Sequence, residues 1–219
     1  MTAGQTRAFE EHWETYGIEY ESQPLDLDHV FDRVAPRVLD IGIGTGDTSL
    51  EIAKMFPEND YLAVEVHRPG IGSLLRRLNE ESVSNVRVIC HDVIEVLKNQ
   101  VADESFDQVF IFFPDPWPKK KHHKRRLIQT TFLDLLVSRM SRNGRLYIAT
   151  DWADLAEHVI EVCEAHPGLF NLAGPGRVSP RPNWRPHTRF EQRGERLEHQ
   201  VFDFIYAVSG KGQDLATKG

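Results

Sequence analysis

Five carboxylates in the sequence stand at or just behind short apolar runs, where a chemical site could be assembled. They are Asp40, Glu65, Asp92, Asp115 and Asp151. In an open sheet of parallel strands, ligands bind outside the carboxyl ends of the strands, near the point where the strand order reverses. Because packing alone does not place an acid at each of five strand ends, we take these residues as the candidate site.

The first of these acids opens a glycine-rich turn with the sequence DIGIGTG, residues 40–46. Its spacing is G-x-G-x-G, whereas the dinucleotide fingerprint requires a glycine at the next position, which is Asp47. An acid at that helix N-terminus has the wrong sign for a pyrophosphate. Gly42, Gly44 and Gly46 would let the backbone approach a ligand closely, and Asp40 favours a cationic or amine-bearing one. A simple tight turn is the alternative.

Glu65 and Asp92 add two further candidate ligand contacts. A carboxylate at the end of the second strand can accept both hydroxyls of a ribose, and Asp92 is placed to meet a base amine. With Asp40 they describe a site for a nucleoside that carries a positively charged amino-acid tail and no phosphates. S-adenosylmethionine is such a ligand. Glu65 by itself could equally be an exposed strand-end acid.

The fourth acid lies in the turn FFPDPWPKKK, residues 112–121, at the end of a hydrophobic strand. Two prolines flank Asp115 and are expected to hold it and Phe113 in an extended turn. A stiff loop that presents one carboxylate and one tryptophan suits a flat base, and Trp117 either stacks on that base or caps the sheet. Six cations within residues 119–126 suit neighbouring phosphates. The alternative interpretation of this basic run is the solvent-exposed start of a helix.

Three later segments carry weaker signals. Asp151 either is only the N-cap of the following helix or also faces the substrate. Residues 174–187 hold four prolines and two glycines, which predicts a long surface loop, and residues 177–196 carry six arginines against two glutamates. We expect the arginines of residues 177–189 to bind phosphates as well. The segment TRFEQRG, residues 188–194, means little in isolation.

Neither a metal site nor a reactive thiol is expected. His122 and His123 lie among cations, which repel a metal ion. Cys90 and Cys163 stand in no CxxC motif and sit in apolar runs, which is typical of buried, reduced thiols in a cytosolic protein.

The elements that must position these residues alternate between apolar strands and amphipathic helices. One predicted helix presents Ile71, Leu74, Leu75 and Leu78 on a single face. Strands are expected at residues 37–41, 61–66, 86–90, 106–113, 145–149 and 201–208. This order indicates a mostly parallel sheet with helices on both faces. We predict an α/β fold, Rossmann-like and doubly wound, with an antiparallel last strand.

The acidic total hides an uneven distribution of charge along the 219 residues. The formal net charge is -7, and residues 1–32 account for all of it because they hold one arginine and eight acids. The remainder is neutral overall, with its cations grouped beside the predicted site. Net acidity therefore does not exclude a nucleic-acid partner. The N-terminus shows no secretory signal, and the sequence has no run long enough to span a membrane.

Six motifs together resemble the bacterial tRNA (guanine-N7-)-methyltransferase family over residues 4–208. In chain order they are DIGIGTG, EVHRPG, CHD, FFPDPWPKKKHHKRR, ATDW and TRFEQRG. The family belongs to the class I S-adenosylmethionine-dependent methyltransferases and modifies a guanine in the tRNA variable loop. The resemblance implies the class I methyltransferase fold, S-adenosylmethionine as cofactor, tRNA as partner and a cytoplasmic location; we also expect a monomer, with no metal and no membrane contact.

The resemblance also implies roles for individual residues. The methyl donor is held by the positions that match Asp40, Gly42, Gly44, Gly46, Glu65 and Asp92. The acid that matches Asp115 contacts both methyl donor and guanine and is taken as catalytic. Substrate binding is implied for Lys119, Asp151, Thr188, Arg189, Phe190 and Glu191.

Two features depart from the family pattern. Asp40 stands where many relatives carry glutamate, which is one methylene longer. Many relatives also have a basic segment before the part that matches Gly4, so either the grip on tRNA is weaker here or the sequence is a shortened form. We predict an acidic helical extension at residues 1–35, a methyltransferase domain at 36–208 and a disordered tail at 209–219.

The chemistry is consistent with these residue types. Guanine N7 carries an in-plane lone pair and no proton, so in-line attack on a sulfonium methyl group needs no general base. Positioning can supply roughly 7–11 kcal/mol of such a barrier. A carboxylate such as Asp115 or Glu191 could bind the N1–H and amino edge of the guanine as it becomes cationic. A small-molecule methyltransferase, an adenine-N6 methyltransferase and a non-catalytic RNA-binding module are the rival interpretations.

Overall fold

The core of the fold is a twisted sheet. A computed structural model describes residues 1–187, 191 and 200–209. Within them the strands are β1 Gly17–Ile18, β2 Arg37–Ile41, β3 Asp60–Val64, β4 Val86–Ile89, β5 Phe106–Phe112, β6 Met140–Thr150, β7 Leu169–Asn171 and β8 Phe202–Val208. They lie in the order β1-β4-β3-β2-β5-β6-β8-β7. All neighbours are parallel except β8, which is antiparallel to both β6 and β7.

Helices cover both faces of the sheet. They are α1 Ala3–Tyr16, α2 Leu27–Phe31, α3 Asp47–Met55, α4 Arg68–Glu80, α5 Val93–Asn99, α6 Thr130–Arg139 and α7 Ala153–Ala165, with a 3-10 helix at Lys120–Arg125. Side chains of α1, α3 and α4 form one apolar core with one face of the strands, and those of α2, α5, α6 and α7 form the other. The predicted doubly wound α/β fold with an antiparallel last strand is confirmed.

Helix α4 shows how the apolar pattern produces this packing. All four residues of its predicted stripe, Ile71, Leu74, Leu75 and Leu78, are fully buried. Burial of each such side chain contributes about 1.5–3 kcal/mol. Gly72 lets helix α1 approach, because a Cβ atom there would lie 2.4 Å from the backbone oxygen of Gln5.

The N-terminal segment joins the sheet. Helix α1 packs against α4, and strand β1 pairs in parallel with β4, with Gly17 opposite Val88. The division between an extension at residues 1–35 and a domain at 36–208 stays a prediction. Of the tail predicted at 209–219, only Ser209 lies within the described residues.

All six predicted strands are present; β2 has the predicted ends, and the other five differ at one or both ends. The predicted strand at 145–149 is longer in the structure, because Met140 already pairs with Phe106 before a shift of register. Three elements were not predicted: strands β1 and β7 and helix α5. They span two, three and seven residues, which is too short for a helical or alternating pattern to be distinctive.

The prediction of a surface loop at 174–187 is wrong for part of that segment. Ser179 forms a bridge to Asp203 on β8. The indole of Trp184 packs against the rings of Phe110 and Tyr147, with centroids 5.3 and 5.1 Å away. Arg185 is also buried. The apolar surface that Trp184 covers holds the segment on the sheet despite its four prolines.

Candidate active site

The strand register brings the five acids to one edge of the sheet. One row of paired residues crosses it, and it consists of Ile89, Val64, Ile41, Ile111 and Ile148. The acids lie between one residue before this row and four residues after it. Strand order reverses between β2 and β5, which is where an open α/β sheet forms its ligand crevice. The turn after β2 and the turn after β5 therefore flank the same crevice.

Asp40 is a buried carboxylate beneath the glycine-rich turn. It is 4% exposed and accepts a hydrogen bond from the Ser49 hydroxyl at 2.5 Å. Burial raises the pKa of Asp40 to about 6; the Ser49 hydrogen bond opposes this shift and the nearby charge of Glu65 adds to it. A buried anion in this position gains from a cation placed beside it.

The glycine-rich turn leaves room for a ligand above its backbone. Gly42, Gly44 and Gly46 have φ angles of +74°, +57° and +74°, which side-chain-bearing residues rarely adopt. A Cβ atom at Gly42 or Gly44 would meet nothing within 4 Å, whereas one at Gly46 would lie 2.6 Å from the Cβ atom of Leu74. The first two glycines thus face open space, and the third packs against helix α4. The open cradle and the buried anion of Asp40 fit the amino-acid end of S-adenosylmethionine.

We expect alanine to act differently at two of these glycines. Gly42→Ala and Gly46→Ala share a left-handed strain of about 1–2 kcal/mol, but only the second also overlaps Leu74. Gly46→Ala should therefore lower the free energy of unfolding by roughly 2–4 kcal/mol. Gly42→Ala should cost only the strain and weaken S-adenosylmethionine binding, because its methyl group enters the ligand space. Urea unfolding and calorimetric titration measure both effects; equal destabilisation would contradict this assignment.

The carboxylate of Glu65 ties the end of β3 to the glycine-rich turn. Its Oε2 accepts from the Gly44 amide at 3.0 Å, and its Oε1 accepts from the amides of Val66 and His67 at 2.7 and 2.8 Å. These bonds fix the side chain at the strand end. They are charge-assisted hydrogen bonds from backbone amides, and they hold the carboxylate in place for hydroxyl donors such as those of a ribose.

Asp92 serves as a helix cap at the same edge. Its Oδ1 accepts from the amide of Ile94 at 2.8 Å at the start of α5. Next to it, the ring of His91 stacks on Tyr20 with centroids 3.6 Å apart. The carboxylate of Asp92 is exposed, and its hydrogen bond to the start of α5, a helix that the sequence did not predict, fixes its position.

The Asp115 turn is more contorted than its prolines suggest. Phe113 and Trp117 have φ angles of +52° and +45°, so the predicted extended conformation is wrong for Phe113. Left-handed backbone at bulky residues is uncommon and costs of order 1–3 kcal/mol. Tertiary contacts hold it: the Phe113 amide donates to Ala149 at 2.8 Å, and Arg126 Nε donates to the Pro116 carbonyl at 3.0 Å. The turn leaves Asp115 exposed beyond the end of β5.

The basic run after the turn divides into exposed and buried cations. Lys119, Lys120, Lys121, Lys124 and Arg125 are exposed. Arg126 is 4% exposed and pairs with Asp154 on α7, so its predicted phosphate contact is wrong. Arg125 lies over Trp117, with its Cζ atom 5.0 Å from the ring centroid. His122 packs against the same indole in a T-shaped contact, with ring centroids 5.9 Å apart, so a stacked base would have to share the ring with these two side chains.

Of the remaining predicted substrate residues, the structure describes Asp151 and Glu191. Asp151 is exposed, and the interpretation that it caps α7 is wrong, because Trp152 is the N-cap of that helix. Glu191 is 4% exposed and its Oε1 pairs with Arg185 at 2.7 Å. The predicted contacts of Thr188, Arg189 and Phe190 lie outside the described residues.

Comparison with known proteins identifies the family of this chain. A family model described as "Putative methyltransferase" matches residues 34–204. Curated relatives named tRNA (guanine-N(7)-)-methyltransferase are 50% identical in Alkalilimnicola ehrlichii, over 94% of this chain and 87% of the relative, and 46% identical in Neisseria gonorrhoeae, over 96% and 87%. The chain belongs to the tRNA (guanine-N(7)-)-methyltransferase family.

Two solved methyltransferase structures share the fold of this family member. The 16S rRNA methyltransferase KamB superposes with a TM-score of 0.64 over 86% of this chain and 96% of its own, at 10% identity. An S-adenosylmethionine-dependent methyltransferase from Aquifex aeolicus gives a TM-score of 0.53 over 94% and 98%, at 16% identity. At such identities the likeness concerns the fold, and it confirms the predicted class I methyltransferase fold.

Two features are absent from the described part of this family member. Within residues 1–187, 191 and 200–209, no group of three His, Cys, Asp or Glu residues could hold a metal ion. No helix in the same part of the chain is long and apolar enough to cross a membrane.

Sequence reasoning missed the buried arginines that support the family's motifs. The sequence predicts phosphate contacts for both Arg126 and Arg185, yet both are almost completely buried. The partner of Arg126, Asp154, lies on a different element, and Asp203, a partner of Arg185, lies 18 residues away along the chain. A local clue was present only for Arg126, which adjoins the apolar residues Leu127 and Ile128.

Proposed function

We propose that this protein transfers the methyl group of S-adenosylmethionine to N7 of a guanine in the tRNA variable loop. Membership of the family confirms the predicted enzyme class and the methyl donor; the variable-loop position is our own addition. The observation that carries the proposal is the arrangement at the edge of the sheet where the adjacent strands β2 and β5 end. The glycine-rich turn, which leaves open space at Gly42 and Gly44, follows β2. The Asp115 turn follows β5, and exposed cations come directly after it.

The acids at the sheet edge would divide the binding of the donor among them. Asp40 would hold the positively charged amino-acid end, Glu65 the ribose hydroxyls and Asp92 the base amine. When bound, S-adenosylmethionine supplies an electrophilic methyl group on a sulfonium centre. The residues of the chain do not have to remove a proton, since guanine N7 carries none, so their work is to orient the two reactants and exclude competing poses.

The substrate side of the crevice would be formed by two carboxylates and a set of polar contacts. Asp115 and Glu191 would bind the N1–H and amino edge of the guanine. They would stabilise the positive charge that the base acquires, since charge stabilisation aimed at the transition state is a large catalytic contribution. The other contacts would come from Lys119, Asp151, Thr188, Arg189 and Phe190.

The deciding experiment is methylation of unmodified tRNA with labelled S-adenosylmethionine, followed by nucleoside analysis. We expect the label in N7-methylguanosine, and none when the variable-loop guanine is replaced by adenine. Label in N7-methylguanosine from both tRNAs would overturn the proposed position only. Label on adenine, or on no RNA, would overturn the reaction.

The exposed cations after the Asp115 turn should set the salt dependence of tRNA binding. The triple substitution Lys120→Ala, Lys121→Ala and Lys124→Ala should reduce the slope of log affinity against log salt by about 2, since each phosphate contact contributes roughly 0.7–0.9. Filter binding of tRNA from low to moderate salt measures this slope.

A second triple variant is the matched control for this salt effect. Arg76→Ala, Lys98→Ala and Arg142→Ala remove three cations whose side chains are more than half exposed on other elements. Its slope should equal that of the wild type. If both triple variants behave alike, the tRNA backbone does not lie along the 119–126 segment.

Two further properties complete the proposal. We infer a monomer that works in the cytoplasm, where tRNA is modified and thiols stay reduced. Cys90 and Cys163 are free, and Cys163 is fully buried. Light scattering at enzyme concentrations used for turnover tests the monomer; a dimer mass there would overturn it.

A further inference from the structure

A buried arginine outside the acids of the site joins three segments of the chain. Arg185 is 1% exposed. Its Nε and Nη2 donate to the two carboxylate oxygens of Asp203 on β8, both at 2.9 Å, and Nη2 also donates to Oε1 of Glu191 at 2.7 Å. The guanidinium thus connects the 174–187 segment, strand β8 and Glu191.

The same guanidinium lies against the start of the Asp115 turn. Its Cζ atom is 5.6 Å from the ring centroid of Phe113 and 5.7 Å from that of Phe112. These are distances at which a cation and an aromatic face attract each other. Phe113 stands two residues before Asp115. Arg185 therefore contacts Glu191 directly and lies beside the strand end that carries Asp115.

The geometry of this cluster favours an arginine. Two carboxylates, Asp203 and Glu191, are at most 5% exposed, and both bind the guanidinium of Arg185. Burial raises the pKa of Asp203, and the ion pair with Arg185 offsets part of that rise. A lysine ammonium is a point charge and cannot match the planar fork that binds both oxygens of Asp203 while reaching Glu191. Only the guanidinium geometry fixes both carboxylates at once.

We propose that Arg185 is a positioning residue for methyl transfer, which holds the carboxylate of Glu191 in the orientation in which Glu191 binds the guanine. The inference rests on the proposed function, since it needs Glu191 to contact the substrate. It assigns Arg185 a role other than the phosphate contact that its position in a basic loop suggests. It also explains why a cation is buried in a segment whose other described arginines, Arg177 and Arg181, are exposed.

A double-mutant cycle tests the proposal. Arg185→Lys, Glu191→Ala and the double variant are compared for kcat and for KM with tRNA. We expect each single variant to lower kcat roughly 10- to 100-fold with KM changed less than about threefold. The double variant should be no slower than Glu191→Ala, because Arg185 acts only through the carboxylate that is already gone.

Arg126→Lys is the matched control. Arg126 is also a buried arginine in an ion pair, but it holds Pro116 and not Glu191. Its effect on kcat should multiply with that of Glu191→Ala. Urea unfolding of every variant separates a loss of folding from a loss of rate. Should Arg185→Lys fail to fold, Arg185→Gln is combined with Asp203→Asn, which keeps the net charge of the buried cluster, and the cycle with Glu191→Ala is repeated with this pair.

The outcomes distinguish the positioning role of Arg185 from the proposed function. Effects of Arg185→Lys and Glu191→Ala that multiply would overturn the positioning role, as would an unchanged kcat in Glu191→Ala. A third result would also overturn the positioning role: Arg185→Lys keeps most of the rate that Arg185→Gln loses, and its effect multiplies with that of Glu191→Ala. That result would indicate an ion pair with a purely structural role. Failure of the wild type to form N7-methylguanosine would instead overturn the proposed function.

Discussion

Replacement of Asp115 by asparagine should lower the single-turnover rate of tRNA methylation by about 100-fold or more. Asparagine keeps the shape of the side chain and removes its charge, so the variant loses the stabilisation of the positive charge that the guanine acquires. Asp115 is exposed, which means that the substitution should leave the free energy of unfolding nearly unchanged. Rapid quench with enzyme in excess over tRNA measures the rate.

The control for Asp115 is another exposed aspartate away from the crevice. The side chain of Asp103 is 73% exposed and pairs with Arg139, so Asp103→Asn removes one negative charge without touching the proposed machinery. Its single-turnover rate should match that of the wild type. If Asp115→Asn methylates tRNA as fast as Asp103→Asn, then Asp115 neither orients the guanine nor stabilises its charge.

The importance of Asp115 could be predicted from the sequence, but the conformation that presents it could not. An acid between two prolines at the end of an apolar strand indicates a site. The left-handed backbone at Phe113 and Trp117 contradicts the extended geometry that proline favours in the residue before it. Tertiary contacts override that local preference, and Arg126 supplies one of them from ten residues further along the chain.

The same distinction applies to the fold. Strand β2 has the predicted bounds, Arg37–Ile41, because a buried parallel strand is a continuous apolar run whose ends are polar or glycine-rich. Arg185 is the opposite case. Arginine is almost never buried unless it is paired, and one of its partners, Asp203, lies on another strand of the sheet. Only the three-dimensional structure shows that pairing, so the sequence suggested an exposed phosphate contact.

Asp40→Asn should make the protein more stable while it weakens binding of the methyl donor. Burial, partly opposed by the Ser49 hydrogen bond and reinforced by Glu65, raises the pKa of Asp40 from 3.8 to about 6. The folded state thus holds the proton more tightly than the unfolded state. The stability that protonation of Asp40 contributes is complete below pH 3.8 and is lost as the pH rises through about 6. At neutral pH the ionised, buried Asp40 therefore destabilises the folded protein.

The expected magnitudes follow from this shift of about two pKa units. Since one unit corresponds to about 1.4 kcal/mol, Asp40→Asn should raise the free energy of unfolding at pH 7.5 by up to roughly 2–3 kcal/mol. The gain should shrink toward zero as the pH falls below about 6. The same variant should bind S-adenosylmethionine roughly 10- to 100-fold more weakly, since a hydrogen bond between charged groups contributes about 1.5–3 kcal/mol.

A series of urea titrations between pH 4.5 and 8, paired with calorimetric binding of S-adenosylmethionine, checks both effects. Asp92→Asn is the matched control: it makes the same chemical change at an exposed strand-end acid, and asparagine is an equally good helix cap. At this exposed position the substitution should leave the free energy of unfolding nearly unchanged. For the wild type, affinity for the donor should fall as the pH drops through about 6, because protonated Asp40 no longer attracts a cation. If Asp40→Asn does not raise the free energy of unfolding, or raises it equally at every pH, then Asp40 is not a buried anion that a cationic ligand would stabilise.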